Sequence, residues 1–376
     1  EKTIAMTAFS TNDPGEPLPD LEKTAYSVLK TSVAPLANEI DGNSKVLKQA
    51  LMSLGEKGLL ALRIPQKWGG YEASDRSFFN YQKLVARYSG ALAFLEIQHQ
   101  SAASIIASSE NSPLKELYLP KLSEGKILLG VGFSQIRRKG KPSVKAIPVA
   151  GGYKFKGFVP WVTGKGIFNE FILAGILPDG RAVFGLVPFA KTVNSTGSIN
   201  FSEPMPLCGM GSTNTVTATV ENWFLPEERV AFIKAPNWIH VNDENNVLKA
   251  TALNLGCAEA ALDIQESAFQ VKSVGFIKKA IASFQTEIEG CQNAIWEAQE
   301  NPDLDFAKKL ELRAEAIELA VRCATAAVTV SSGAANHASH AAGRIYREAM
   351  VYVVFRQTTA VMEATLAKLK RVAERK

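Results

Sequence analysis

The chain has 376 residues, 46% of them hydrophobic and 21% charged, with a formal net charge of +5. That length points to two or three packed substructures sharing a large core, and the composition excludes intrinsic disorder. The charge excess is small, and its one tight basic cluster, RRKGK at 137–141, has no interleaved aromatics, which argues against nucleic-acid binding.

The opening EKTIAMTAFSTNDPGEPLPD lacks an apolar segment and reads as a loose arm rather than a signal peptide. From Leu21 to Lys126 apolar residues recur at helical spacing, as in Val46, Leu47, Ala50, Leu51 and Leu54, so residues 1–126 form an arm and a helical domain. From Ile127 the pattern changes to short β-branched and aromatic runs: ILLGVGFS, SVKAIPVA, YKFKGFV, NEFILAGI, RAVFGLV and TVTATVEN. Gly151-Gly152 and Pro178-Asp179-Gly180 supply hairpin turns, and no helices intervene, which predicts an antiparallel β domain over 127–235.

Long helical patterns return over 236–376, with breaks near Asn301-Pro302 and between Gly333 and Gly343. The stretch IYREAMVYVVFRQTT at 345–359 reads as one helix, in which Arg356 closes an apolar run with no carboxylate beside it. The fold class is therefore α+β, mainly α, and helices this long predict that neighbouring subunits cover part of their surface as a homodimer or homotetramer. The small-residue run at 323–343 carries an Asn and two His and does not qualify as a membrane span.

Four scattered cysteines match no zinc spacing and read as reduced thiols of a cytoplasmic protein. Four histidines without an HExxH or paired-carboxylate pattern argue against a catalytic metal. GFVPWVTGKG has the wrong spacing for a phosphate loop, and CGMGSTN follows no strand-to-helix crossover. His99, in FLEIQHQS, is either an acid or base facing a cleft or a hydrogen-bonded histidine at a domain seam.

Five segments in order carry a resemblance. ALMSLGEKGLLALRIPQKWGG at 50–70 is similar to "LGELGLLGIRVPEEYGG", YLPKLSEGK at 118–126 to "YLPKLASGE", and PWVTG at 160–164 to "KxWITN". MGSTNTVTATVENWFLPEERV at 210–230 is similar to "MRGTDSxxVxFDDVFVPEENV", and RIYREA at 344–349 to "RLMRDA". By these segments the chain resembles the acyl-CoA dehydrogenase superfamily over nearly its whole length. The resemblance implies a helical domain, a central β domain and a C-terminal four-helix bundle, with FAD in a cleft among them at a subunit interface. It further implies Trp161 and Thr163 against the isoalloxazine, and Phe133 and Ser134 on the pyrimidine side.

The same resemblance exposes departures. The family's base stands nine residues beyond the second arginine of "RLMRDA", and counting from Arg347 arrives at Arg356, within Phe355-Arg356-Gln357. The alternative position of that base is Lys249. A guanidinium cannot act as a base near neutrality. The loop "EPxxGSD" reads QIRRKGKP, and "REAFGKPI" reads VGFIKKAI, leaving Lys278 and Lys279 to reach a neighbouring subunit's cofactor.

Three functions follow from this. The chain is a flavin oxidoreductase acting on an acyl-CoA or related small molecule, with Glu96 or His99 taking the proton. Alternatively it is a flavin-dependent monooxygenase of the same fold, fed by a flavin reductase, in which Arg356 offsets negative charge on reduced flavin. Or it is a non-catalytic binding protein in which Arg356 pairs with Glu348 or a neighbouring helix. An electron-transfer partner belongs to the first reading.

Overall fold

In the computed structural model residues 20–370 are described; the N-terminal arm lies outside them except for Asp20, which opens the first helix. Six helices come first: α1 (Asp20–Val28), α2 (Ala37–Gly42), α3 (Ser44–Gly55), α4 (Asp75–Tyr88), α5 (Gly90–Ala107) and α6 (Ser112–Ser123). Polar caps set several starts. Asn43 Oδ1 accepts from Lys45 N at 3.1 Å, Ser74 Oγ from Ser77 N at 3.1 Å, and Asn111 Oδ1 from Leu114 N at 3.1 Å. Helix α5 is apolar on nearly every face and becomes the buried axis of this half.

The strands are β1 (Leu129–Gly132), β2 (Val144–Val149), β3 (Gly152–Val162), β4 (Glu170–Ile176), β5 (Ala182–Pro188), β6 (Thr192–Asn194), β7 (Gly197–Phe201), β8 (Val216–Pro226) and β9 (Val230–Lys234). They form one sheet in the order β6-β7-β8-β3-β2-β4-β5-β9, with β1 beside β4. Gly151, at φ 73°, turns the chain between β2 and β3, while Gly152 already opens β3; Gly180, at φ 87°, serves the β4–β5 hairpin. The sheet differs from the expected antiparallel domain in being mixed, because β1 and β2 both meet β4 in parallel. Strands β4 and β5 are buried over most of their length, so they read as continuous apolar runs rather than alternating ones. A second cluster of core residues, including Ala103, Leu119, Ile172 and Phe184, seals α5 and α6 onto the sheet.

Six more helices follow: α7 (Trp238–Asn245), α8 (Thr251–Lys272), α9 (Gly275–Glu300), α10 (Phe306–Ser331), α11 (Ala341–Val354) and α12 (Thr359–Lys370). Helix α10 packs against α8, α9, α11 and α12, giving the bundle, and α8 also packs on α4 of the first half. Contact between α4 and α8 depends on Gly256, where an added Cβ would meet the Lys83 carbonyl oxygen at 2.2 Å. The expected single helix over 345–359 is two: α11 ends at Val354, and α12 begins at Thr359. Among the described residues no helix is long and apolar enough to cross a membrane.

Candidate active site

The turn between α11 and α12 is positioned from both sides. On α11, Glu348 is fully buried; it accepts from Arg344 Nη1 at 2.8 Å and from Gly90 N, at the head of α5, at 3.1 Å. Burial raises the Glu348 carboxyl above its usual range, and Arg344 opposes that shift. Arg347 donates to Asp41 of α2 at 2.8 Å, and Asp41 also accepts the Met210 N–H at 3.0 Å, so one carboxylate ties bundle, helical domain and the CGMGSTN loop together. The arginines of RIYREA thus fix α11 against both other parts of the molecule.

Beyond Val354 the chain leaves helical geometry. Phe355 packs its ring edge-on to Phe94 of α5 at 5.3 Å between centroids, and its carbonyl accepts from Arg313 Nη2 at 2.9 Å. Arg356 takes a left-handed backbone with φ 50°, a conformation that costs a residue with a Cβ about 1 kcal/mol. Thr358 then caps α12, its Oγ1 accepting from Val361 N at 3.2 Å.

The Arg356 side chain is 30% exposed, and its Nη2 lies 3.8 Å from Asp243 Oδ1 on α7. Asp243 is already held by Arg137, whose Nε and Nη2 reach the two carboxylate oxygens at 2.6 and 2.8 Å. Arg356 therefore does have a carboxylate nearby, supplied by α7 from more than a hundred residues upstream. The expected alternative pairing with Glu348 is not made: Arg344 and Gly90 both reach Glu348 Oε1 inside the core, whereas Arg356 turns to Asp243. Burial and the Arg137 charge push the Arg356 guanidinium below its ordinary value, and Asp243 partly restores it. Lys249, just before α8, is lowered as well, by burial and by the charges of Arg63 and Arg356, against the pull of Asp75.

Arg313 of α10 is 1% exposed, and its acceptors among the described residues are neutral, the Phe355 carbonyl and Asn254 Oδ1 at 2.7 Å. Burial and the nearby Arg356 lower it to about 9. Sequence reasoning missed Asp243, Arg313 and Asn254. Arg313 was detectable in principle, since it falls on the apolar stripe Leu310, Ala314, Ile317 and Ala320 of α10. Asp243 carries no comparable signal, because only the fold brings it to Arg137.

The residues expected to face a flavin are distributed unevenly. Trp161, near the end of β3, leaves 49% of its surface open, and Ser134 is exposed at the start of a short turn after β1. Thr163 is buried, its hydroxyl 3.0 Å from that of Thr215. Phe133 turns its ring onto Phe184 of the sheet core, at 5.3 Å, which leaves backbone rather than ring at that edge. Gln357 is half-buried beside Arg356, and Lys278 is exposed on α9.

Glu96 and His99 both project from α5 into the core and are fully buried. His99 Nδ1 accepts the Leu129 N–H at 3.0 Å, which fixes the neutral tautomer, and burial lowers the imidazole to about 4. The Glu96 carboxyl lies against the amides of Gln82 and Gln100 with no well-formed hydrogen bond to either oxygen, and burial raises it well above the usual carboxylate range. These surroundings give His99 a place at the seam between α5 and β1. Among the described residues no cluster of three metal-ligating groups occurs.

An open indole such as that of Trp161 and an exposed hydroxyl such as that of Ser134 are groups that would suit a flat aromatic ring system. The loop after β1 offers Arg138 and Lys139, both exposed, in place of small residues, so an anion there would be met by charge rather than by close backbone approach.

Helices, a mixed sheet and a helical bundle in this order define an acyl-CoA dehydrogenase type of fold. The butyryl-CoA dehydrogenase of Megasphaera elsdenii superposes with a TM-score of 0.76 at 18% identity, covering 95% of this chain and all of that one. The profile described as "Acyl-CoA dehydrogenase, N-terminal domain" matches residues 18–126. A 3-(aryl)acrylate reductase of Clostridium sporogenes is 22% identical over 92% of this chain and 96% of its own length. An acyl-CoA dehydrogenase of Bacillus subtilis is likewise 22% identical, over 93% and 96%. The chain is thus similar over nearly its whole length to acyl-CoA dehydrogenases, and its residues 18–126 match the N-terminal domain of that family.

Proposed function

We propose that this protein is an FAD-dependent oxidoreductase that acts on an acyl-CoA or related small carboxylic substrate with Arg356 standing where a carboxylate base would otherwise work. One observation carries the cofactor: Trp161 keeps an open indole face near the end of β3, in a fold shared with dehydrogenases. FAD, when bound, supplies two-electron hydride chemistry. Trp161 would cover the ring, Ser134 and the backbone at Phe133 would meet its polar edge, and Gln357 would lie beside it. Lys278, exposed on α9, is available to a second copy's cofactor. Arg356 holds a positive charge near neutral pH and stabilises negative charge on substrate or ring. A proton transfer assigned to Glu96 or His99 needs an internal path, since both are enclosed.

The relatives support reading the substrate as an acyl group or its free acid, since one is named for acyl-CoA and another for an arylacrylate. An electron-transfer partner for the reduced cofactor belongs to the same reading. The test is the visible spectrum of the purified protein before and after incubation with FAD. A flavin band that survives gel filtration in the wild type, and is lost or weakened roughly tenfold in affinity in Trp161→Ala, is the expected result. A protein that stays colourless overturns the proposal. It would leave the non-catalytic reading, which the Arg137–Asp243–Arg356 link across the junction favours.

A further inference from the structure

We propose that the turn at Arg356 is a receptor for the carboxylate of an anionic substrate, built from Arg356 with Arg137, Arg313 and Lys249 around it. The inference deepens the functional reading above by naming the substrate class, and rests on it for calling the anion a substrate. Its first support is a charge imbalance. Arg137 and Arg356 share one carboxylate, Asp243, Arg313 adds its charge from the Phe355 carbonyl beside Arg356, and Lys249 stands in the field of Arg356 and Arg63, with Asp75, 2.7 Å from Arg63, as the carboxylate acting on that side. Asp243 gives both its oxygens to Arg137, so Arg356 has only a 3.8 Å contact and keeps free donors on its exposed side.

The second support is an unfilled donor. Asn254 Oδ1 accepts from Arg313, but its buried Nδ2 has no partner among the described residues. An orphaned amide N–H beside a guanidinium that lacks a carboxylate is a costly arrangement unless an acceptor arrives. The third is the backbone. A scaffold that needed only a bend between α11 and α12 would be better served at position 356 by glycine or asparagine, which tolerate φ 50° and add no like charge. Arg356 instead carries both the strain and the repulsion, and a planar, bidentate oxyanion relieves the second.

Calorimetry with succinate, benzoate and inorganic phosphate tests this on the full chain as purified, and again after FAD is added. The wild type is expected to bind a carboxylate, with an affinity that falls as salt is raised. Arg356→Gln should lose roughly tenfold or more of that affinity while unfolding at the same or a higher temperature. Asp243→Asn should bind more tightly, a direction that damage to the fold does not produce. The inference is overturned if a folded wild type binds no carboxylate, if Arg356→Gln binds as well as wild type, or if phosphate is preferred. A colourless protein that binds carboxylates keeps this receptor and loses the flavin. A yellow one that binds none keeps the flavin and loses the receptor.

Discussion

A single imidazole shows how burial converts into pH dependence. His99 is lowered to about 4, against about 6.5 for an exposed histidine, so between those values the unfolded chain binds more protons than the folded one. The stabilisation is therefore complete above pH about 6.5 and disappears as the pH falls to about 4, amounting to about 3 kcal/mol. Glu96 slopes the other way: its raised carboxyl keeps its proton in the fold, so its share of stability declines as the pH rises above the usual carboxylate value. Comparing variants separates the two. Urea unfolding of His99→Gln across pH 4 to 7 should lack the acid loss that wild type shows, and parallel curves would mean that His99 does not carry it. At this scale the sequence was only partly readable. The positions 99 and 356 could be singled out, but what they touch could not, since Leu129 and Asp243 reach them through the fold.

Between elements, the decisive feature is how closely α5 and α11 approach. Gly90 opens α5 with its N–H on the Glu348 carboxylate, and an added Cβ there would lie 2.6 Å from that carboxyl carbon. The same carbonyl-bearing turn receives the Tyr352 hydroxyl at 3.2 Å. Gly90→Ala should therefore displace a buried ion pair and cost about 2–3 kcal/mol in a urea titration. Glu348→Ala, which strands Arg344, should cost at least as much, and the double variant less than the sum. A null effect of Gly90→Ala would show that α11 can shift without loss. Elements with local markers were legible: glycine-bearing hairpins and the break at Asn301-Pro302 are where turn chemistry put them. The break at 355–358 was not, because it contains no glycine or proline and is set by Arg313 and Phe94 from other helices. The parallel pairing of β1 with β4 was hidden for the same reason, being made between strands distant in sequence.

The order of the three blocks was legible because hydrophobic period changes at their borders, and the whole-length resemblance rests on that order. Association is the property of the whole that the block pattern also predicts, and the surface now says where to look. On α11, Tyr346, Met350 and Val354 form an exposed stripe at four-residue spacing, with Val354 59% open; on α12, Met362, Leu366 and Leu369 form another at spacings of four and three. Apolar stripes left on the last two helices of a bundle are the usual mark of a subunit contact. The double variant Val354→Asp, Leu366→Asp should run as a monomer in light scattering where wild type is a dimer or tetramer, with its helical circular dichroism unchanged. The functional reading adds a second readout. If Lys278 of one copy meets the cofactor of another, the monomeric variant should lose FAD affinity together with its partner, and Lys278→Ala should lose FAD affinity without losing the assembly. A variant that dissociates yet holds FAD as tightly as wild type would place the whole cofactor site within one chain and remove Lys278 from it.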